Sequence, residues 1–134
     1  MDTGIVKAET LSQTFVATGS TQTFTVPSGV TTIRIRAIGA TGGRSGAASG
    51  KLGGKGALVE GDFSVTPGDA ISVRPGTAGF NGSSLGGGGG GGGTFVWRTG
   101  ALNSGTLLIV GGGGGGGGNT LAGRDGTATT QGGN

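Results

Sequence analysis

The sequence contains no cysteine and no histidine. The first absence excludes a disulfide framework and leaves the redox compartment unread. Together they remove the commonest metal ligands and the commonest general base. Charge is scarce too, at 11% of residues. The basic residues Lys7, Arg34, Arg36, Arg44, Lys51, Lys55, Arg74, Arg98 and Arg124 are scattered along the chain. A nucleic-acid footprint needs clustered lysine and arginine, with aromatics interleaved where single strands are bound. The five Phe and one Trp are not interleaved with the charges, so no nucleic acid is expected as a partner. Met1-Asp2-Thr3 lacks the basic and apolar regions of a secretory signal. The longest strongly apolar run, Leu107-Leu108-Ile109-Val110, is too short to cross a bilayer as a helix, so membrane insertion is not expected.

What the sequence does have is glycine, at 38 of 134 positions, against a usual share of roughly 7%. Collagen needs a strict Gly-X-Y period with much proline. Only three prolines occur and the period is not kept. A flexible glycine-rich coil is the other alternative. Against it, strand-like and glycine-rich stretches alternate, and the glycine begins and ends where strands do. The glycine-rich excursions cover 39–56, 76–93 and 111–134.

Between them lie runs rich in Val, Ile, Thr and Phe. Gln13 to Ala17 and Thr21 to Val26 read as a hairpin around Thr18-Gly19-Ser20. Thr32 to Ile38 alternates, with Ile33, Ile35 and Ala37 on one face and Arg34 and Arg36 on the other. That outer face reads as solvated, the alternative being a binding patch. Further strands are expected over Ala57 to Thr66, Ala70 to Arg74, Thr94 to Arg98 and Thr106 to Val110. Pro27-Ser28-Gly29 and Pro67-Gly68-Asp69 read as turns. No stretch free of glycine has a helical period. The expected core is Phe15, Phe24, Val26, Ile33, Ile35, Leu58, Val59, Phe63, Val65, Ile71, Val73, Phe95, Trp97, Leu107 and Ile109. The expected fold is all-β: a small antiparallel β-sandwich, jelly-roll-like, with an inserted bundle of polyglycine II helices. An N-terminal arm, 1–12, precedes a single domain, 13–134.

The bundle follows from the glycine tracts. Ordering each residue costs about 1–2 kcal/mol of backbone entropy, and glycine is the worst case. With no side chain to bury, only backbone hydrogen bonding and close packing can offset this. The polyproline II geometry has three residues per turn and no internal hydrogen bonds. Its N–H and C=O groups point outward and need partners, which neighbouring helices of the same kind supply. All-glycine tracts suit the interior, where neighbours approach from every side. Gly86, Gly87, Gly88, Gly89, Gly90, Gly91, Gly92 and Gly93 are therefore expected to form one interior helix. Gly111, Gly112, Gly113, Gly114, Gly115, Gly116, Gly117 and Gly118 are expected to form another. The stretch 39–56 and the tail after Asn119 are expected at the rim. Alanine at Gly90 should then destabilise more than alanine at Ser49.

Motifs for chemistry are weak. Gly46-Ala47-Ala48-Ser49-Gly50-Lys51-Leu52 is one residue short of a phosphate loop and has Leu where the hydroxyl belongs. Glu60 and Asp62 share a strand face and read as solvent-facing rather than as an acid–base pair. Serines and threonines have no histidine to activate them. Asn81-Gly82-Ser83 fits a glycosylation pattern but reads as a turn, as does Gly123-Arg124-Asp125-Gly126. Trp97 reads as core rather than as a sugar-stacking platform. No enzyme, catalytic residue, metal site or cofactor is expected.

A resemblance adds to this reading. Phe24-Thr25-Val26-Pro27-Ser28-Gly29-Val30 leads into Ile33-Arg34-Ile35-Arg36-Ala37-Ile38-Gly39. Gly53-Gly54-Lys55-Gly56 and Val65-Thr66-Pro67-Gly68-Asp69 follow. Then come a glycine run closed by Thr94-Phe95-Val96 and a second opened by Leu107-Leu108-Ile109-Val110. This order resembles the glycine-rich domain of phage minor tail and tail-fibre proteins. It is also similar to the extracellular glycine-rich domain of the anaplastic lymphoma kinase receptor family. The resemblance covers roughly residues 13–126 and implies a β-sandwich fused to polyglycine II helices. It also implies extracellular or virion-surface roles in binding or scaffolding. The expected function is that of a structural protein of a phage particle, either a minor tail or fibre component or a capsid decoration. The alternative is a receptor-recognition or adhesion module. The expected partners are other virion proteins and further copies of the chain, with a host surface receptor under the alternative. The expected location is the virion, after synthesis in the host cytoplasm. Ile5, Val6 and Leu11 in the arm are the candidate partner contacts.

Overall fold

The computed structural model describes residues 11–128. These hold six strands and no helix: β1 (Gln22–Thr25), β2 (Thr32–Ile38), β3 (Leu58–Ser64), β4 (Ala70–Arg74), β5 (Thr94–Arg98) and β6 (Leu107–Gly111). One sheet runs β1-β4-β5-β6 and the other is β2-β3. Every pairing is antiparallel. The buried core comprises Val26, Ala37, Val65, Ile71, Val73, Val96 and Ile109, with Phe24, Ile33, Ile35, Val59 and Phe63 among the side chains packed against it. This is the small antiparallel β-sandwich anticipated from the alternating pattern. Its six described strands, in sheets of four and two, fall short of the eight of a jelly roll.

Two turns enter the sandwich as their residues dictate. Val30 N–H donates to Pro27 O at 3.2 Å, and Asp69 N–H donates to Thr66 O at 3.0 Å. The third residue of each turn has positive φ, 80° at Gly29 and 91° at Gly68, the conformation glycine adopts without steric cost.

The expected hairpin at the N-terminal edge does not form. Residues 13–17 take no strand, and β1 pairs with β4 instead. Contacts within the Thr18–Ser20 bend are 3.4 Å, and the chain is joined across it by the Gln22 side chain, whose Nε2 donates to Val16 O at 2.8 Å, rather than by a backbone ladder. Phe15 still reaches the core edge-on to Phe24, with ring centroids 6.4 Å apart. Two expected core residues also lie outside. Leu58 pairs with Ile38 on the outer face of β2-β3, where both are exposed. In β6 the register slips opposite Val96 and Trp97, so Leu108 is the bulged residue. Leu108 packs on the core while Leu107 faces out. Trp97 is buried, and its indole N–H donates to Gly100 O at 3.1 Å.

The outer face of β2-β3 is a charge ladder. Register places Arg34 opposite Asp62 and Arg36 opposite Glu60. Arg34 donates to both Asp62 carboxylate oxygens, at 2.8 and 3.1 Å, and Arg36 lies 3.3 Å from Glu60. The face is solvated, with its arginines matched internally by carboxylates. The hydrogen bond from Arg34 holds the Asp62 carboxyl below its ordinary pKa. A depressed folded-state pKa contributes stability above the unfolded value and loses it as pH falls through the folded one. The pair is exposed, so its effect is small. Asp62→Asn should leave neutral stability nearly unchanged and slightly reduce the acid dependence of unfolding, read from urea midpoints between pH 7 and acid.

Candidate functional site: the glycine bundle

Three excursions leave the sandwich at strand ends, and each is folded back on itself. The first is g1 (39–46) and g2 (50–57), between β2 and β3. The second is g3 (76–83) and g4 (86–93), between β4 and β5. The third is g5 (111–118) and g6 (121–126), after β6. Within each excursion the two arms run antiparallel, and their bonds recur at every third residue. Gly39, Gly42 and Ser45 donate to Ala57, Gly54 and Lys51. Gly92, Gly89 and Gly86 donate to Thr77, Phe80 and Ser83, and Gly118 and Gly115 donate to Leu121 and Arg124. These distances lie between 2.8 and 3.0 Å, ordinary for N–H···O bonds.

The same repeat joins the excursions to one another. Ala40, Gly43 and Gly46 of g1 donate to Gly92, Gly89 and Gly86 of g4. Lys51, Gly54 and Ala57 of g2 donate to Gly118, Gly115 and Gly112 of g5. Gly88 and Gly91 donate to Gly117 and Gly114. Three further contacts are parallel: g3 to g1 through Gly79 and Gly82, g5 to g1 through Gly114 and Gly117, and g6 to g2 through Gly123 and Gly126. Thus g1 bonds to g2, g3, g4 and g5, and g5 bonds to g1, g2, g4 and g6. The other segments lie at the edges.

This arrangement corrects two expectations. Segment g1, placed at the rim by its sequence, is central, with Gly39, Gly43 and Ser45 buried. Segment g4, placed inside because it is all glycine, runs along an outer face, with Gly86, Gly87, Gly89 and Gly90 exposed. Segment g5 is enclosed along one row, where Gly111, Gly114 and Gly117 are buried. Neighbour number is set by the order in which the excursions leave the sandwich, and glycine content alone does not report it.

Side chains close the bundle where backbone cannot. At the sandwich end, the g3-to-g1 register would next pair Gly76 with Ile38. The buried Thr94 hydroxyl stands between them, accepting from Gly76 N–H at 3.0 Å and donating to Ile38 O at 2.6 Å. At the far end, the buried Ser45 hydroxyl lies 2.6 Å from Asn119 Oδ1 and 3.1 Å from Gly86 O. Asn119 Nδ2 donates to Leu85 O at 3.0 Å, so one polar clasp ties the excursions together. At the edges, Asn81 Oδ1 accepts from Arg44 N–H at 2.8 Å, and Asp125 Oδ1 accepts from Lys55 N–H at 2.7 Å. Residues 81–83 and 123–126 are therefore bundle segments rather than the turns their sequences suggested. The locking roles of Ser45, Thr94, Asn119 and Asp125 escaped the sequence reading. The signal was present in each as a small polar side chain within or beside a glycine-rich stretch.

Of the candidate partner contacts, Ile5 and Val6 lie outside the described residues, and Leu11 is exposed. No family model, curated protein or solved structure matches the chain.

The space around each glycine decides which are required. A Cβ at Gly88 or Gly91 would strike Gly43 O or Ala40 O, and one at Gly113 or Gly116 would strike Gly91 O or Gly88 O. A Cβ at Gly90 meets only Gly114 O, at 3.7 Å, and at Gly112 it meets nothing within 4 Å. The expectation that alanine at Gly90 is damaging fails, because that residue faces outward from g4. Gly91→Ala and Gly113→Ala should each destabilise by about 1–3 kcal/mol through overpacking. Gly90→Ala and Gly112→Ala should be neutral or stabilising by up to about 1 kcal/mol, since alanine restricts the unfolded chain. Chemical-denaturation midpoints of the four variants check this. Thr94→Val keeps the shape but removes the hydroxyl bridge, and should cost about 1–3 kcal/mol for the polar groups left unpaired, read in the same way.

Proposed function

We propose that the chain is a non-enzymatic structural protein of a bacteriophage particle, either a minor tail or fibre component or a capsid decoration. In this reading the six segments are polyglycine II-type helices, projecting roughly 25 Å beyond the sandwich at about 3.1 Å per residue. The observation that carries it is the three-residue hydrogen-bond register joining all six segments. Such a bundle is a stiff spacer whose shape is specified by backbone bonding, as a scaffold part requires. The ordered resemblance of the sequence blocks to phage glycine-rich domains supports the same assignment. The partners are other virion proteins and further copies of the chain, with the N-terminal arm as the proposed attachment. The experiment is to band particles from cells that make the chain and label them with an antibody against it. Co-banding with gold label on the tail or capsid is the expected result. Abundant chain in the lysate but none in the banded particles would overturn the proposal.

A second reading, a receptor-recognition or adhesion module, is favoured by the outer end of the bundle. Leu52, Leu85 and Leu121 are 67%, 77% and 76% exposed there, and Phe80 on g3 is 89% exposed. Label confined to a fibre tip, with the antibody blocking adsorption to host cells, would favour this reading over a purely structural part.

A further inference from the structure

In four of the six segments, glycine occurs only where the fold demands it. Every glycine of g1, g2, g3 and g6 lies where a Cβ would come within 3.0 Å of neighbouring atoms. The outward positions of these segments carry side chains instead, as at Thr41, Arg44, Leu52, Lys55, Phe80 and Arg124, all exposed. Segments g4 and g5 break this pattern. A methyl at Gly87 would have only Gly117 O near it, at 3.5 Å, and one at Gly90 only Gly114 O, at 3.7 Å. Both glycines are exposed. Their φ angles lie outside the left-handed region, so backbone conformation does not require glycine either. Nothing among the described residues explains the missing side chains along the seam between g4 and g5.

The same seam carries an unfinished hydrogen-bond register. On g5, Gly114 and Gly117 donate to g1, and Gly115 and Gly118 donate to g6. The third row, Gly113 and Gly116, donates to no described residue. On g4, Gly89 and Gly92 donate to g3, and Gly88 and Gly91 donate to g5. The carbonyls of Gly88 and Gly91 accept no backbone N–H from a described residue. In a threefold strand, successive groups point about 120° apart, so each third row points away from the two neighbours already bonded. The seam therefore offers donors from one wall and acceptors from the other at the three-residue spacing that builds the rest of the bundle.

We propose that the g4–g5 seam is the docking site for an extended glycine-rich strand of a partner chain, one with glycine at every third residue. Such a strand continues the bonding pattern already joining the six segments, taking N–H groups from Gly113 and Gly116 and giving its own to Gly88 O and Gly91 O. Glycine at 87 and 90 keeps the floor of the seam open, because a methyl at either would occupy the space of the incoming backbone. The inference rests on the threefold reading of g4 and g5 and is independent of the particle assignment.

The test uses the full chain, isotope-labelled, with a lysine-flanked (Gly-Gly-Ser)5 peptide as probe and a scrambled peptide lacking the repeat as control. Through-hydrogen-bond couplings between Gly91 N–H and Gly114 C=O report the register separately, without the peptide. Their absence would remove the threefold reading itself. With the register present, the repeat peptide should shift the Gly113 and Gly116 amide signals, and the control should not. Gly87→Ala and Gly90→Ala should each weaken binding tenfold or more with no loss of melting temperature. Gly112→Ala, open but off the seam, should bind as the parent does. Absence of shifts at millimolar peptide, or equal binding by Gly90→Ala, would overturn the proposal. Dimerisation of the free protein that Gly90→Ala abolishes would also overturn it, by assigning the seam to a second copy.

Discussion

The structure depends on finding a partner for backbone N–H and C=O groups that carry no side chains with them. A buried peptide group without a partner is costly, and eight consecutive glycines bring no apolar surface to compensate. The bundle answers by pairing segment with segment at every third residue. Segments g1 and g5 each bond to four neighbours, whereas a strand in a sheet has at most two, one on either side. The absence of Cβ atoms lets the axes approach until one segment's carbonyls sit against the next segment's Cα atoms. Close approach of this kind also admits weak Cα–H···O contacts.

The sandwich is the template for this arrangement. β2 and β3, β4 and β5, and the end of β6 deliver the chain in antiparallel pairs, already spaced for hydrogen bonding. The β5-β6 ladder passes directly into the g4–g5 contact: Thr94 pairs with Gly111, and Gly91 then donates to Gly114. Thr94 marks the changeover, where its hydroxyl spans a gap that the segments beyond close by direct bonding. At the opposite end the Ser45–Asn119 clasp prevents the turns from splaying. The apolar core therefore stabilises the sandwich, and the sandwich in turn holds the glycine segments in register.

Function in this reading comes from shape and from surface left open. The charge ladder of β2-β3 is satisfied within the chain by the Arg34–Asp62 and Arg36–Glu60 pairs. The bundle presents two different kinds of exposure. Its outer end shows leucines and a phenylalanine, suited to contact with another surface. Its g4–g5 side shows bare backbone, suited to a further strand. In the proposed reading, both serve to join the chain to other parts.

The sequence by itself determined the all-β class, most strand positions and the location of the excursions. These are local properties: the period-two alternation in Thr32 to Ile38, the Pro-Ser-Gly and Pro-Gly turns, and glycine runs bounded by strands. It also indicated that two glycine tracts must be ordered by one another, since nothing else could offset their entropy. Tertiary structure decided which tract lies inside. Gly86 to Gly93 and Gly111 to Gly118 have the same composition, yet one lines an outer face and the other is enclosed along a row. That difference depends on how three excursions stack across two sheets, a long-range arrangement that no single segment encodes. The same holds for the edge at residues 13–17, which joins the fold through Phe15 on Phe24 and the Gln22 side chain on Val16 O and not through a strand ladder. It holds as well for Ser45 and Asn119, whose hydrogen bond spans 74 positions of sequence and exists only once the turns are brought together.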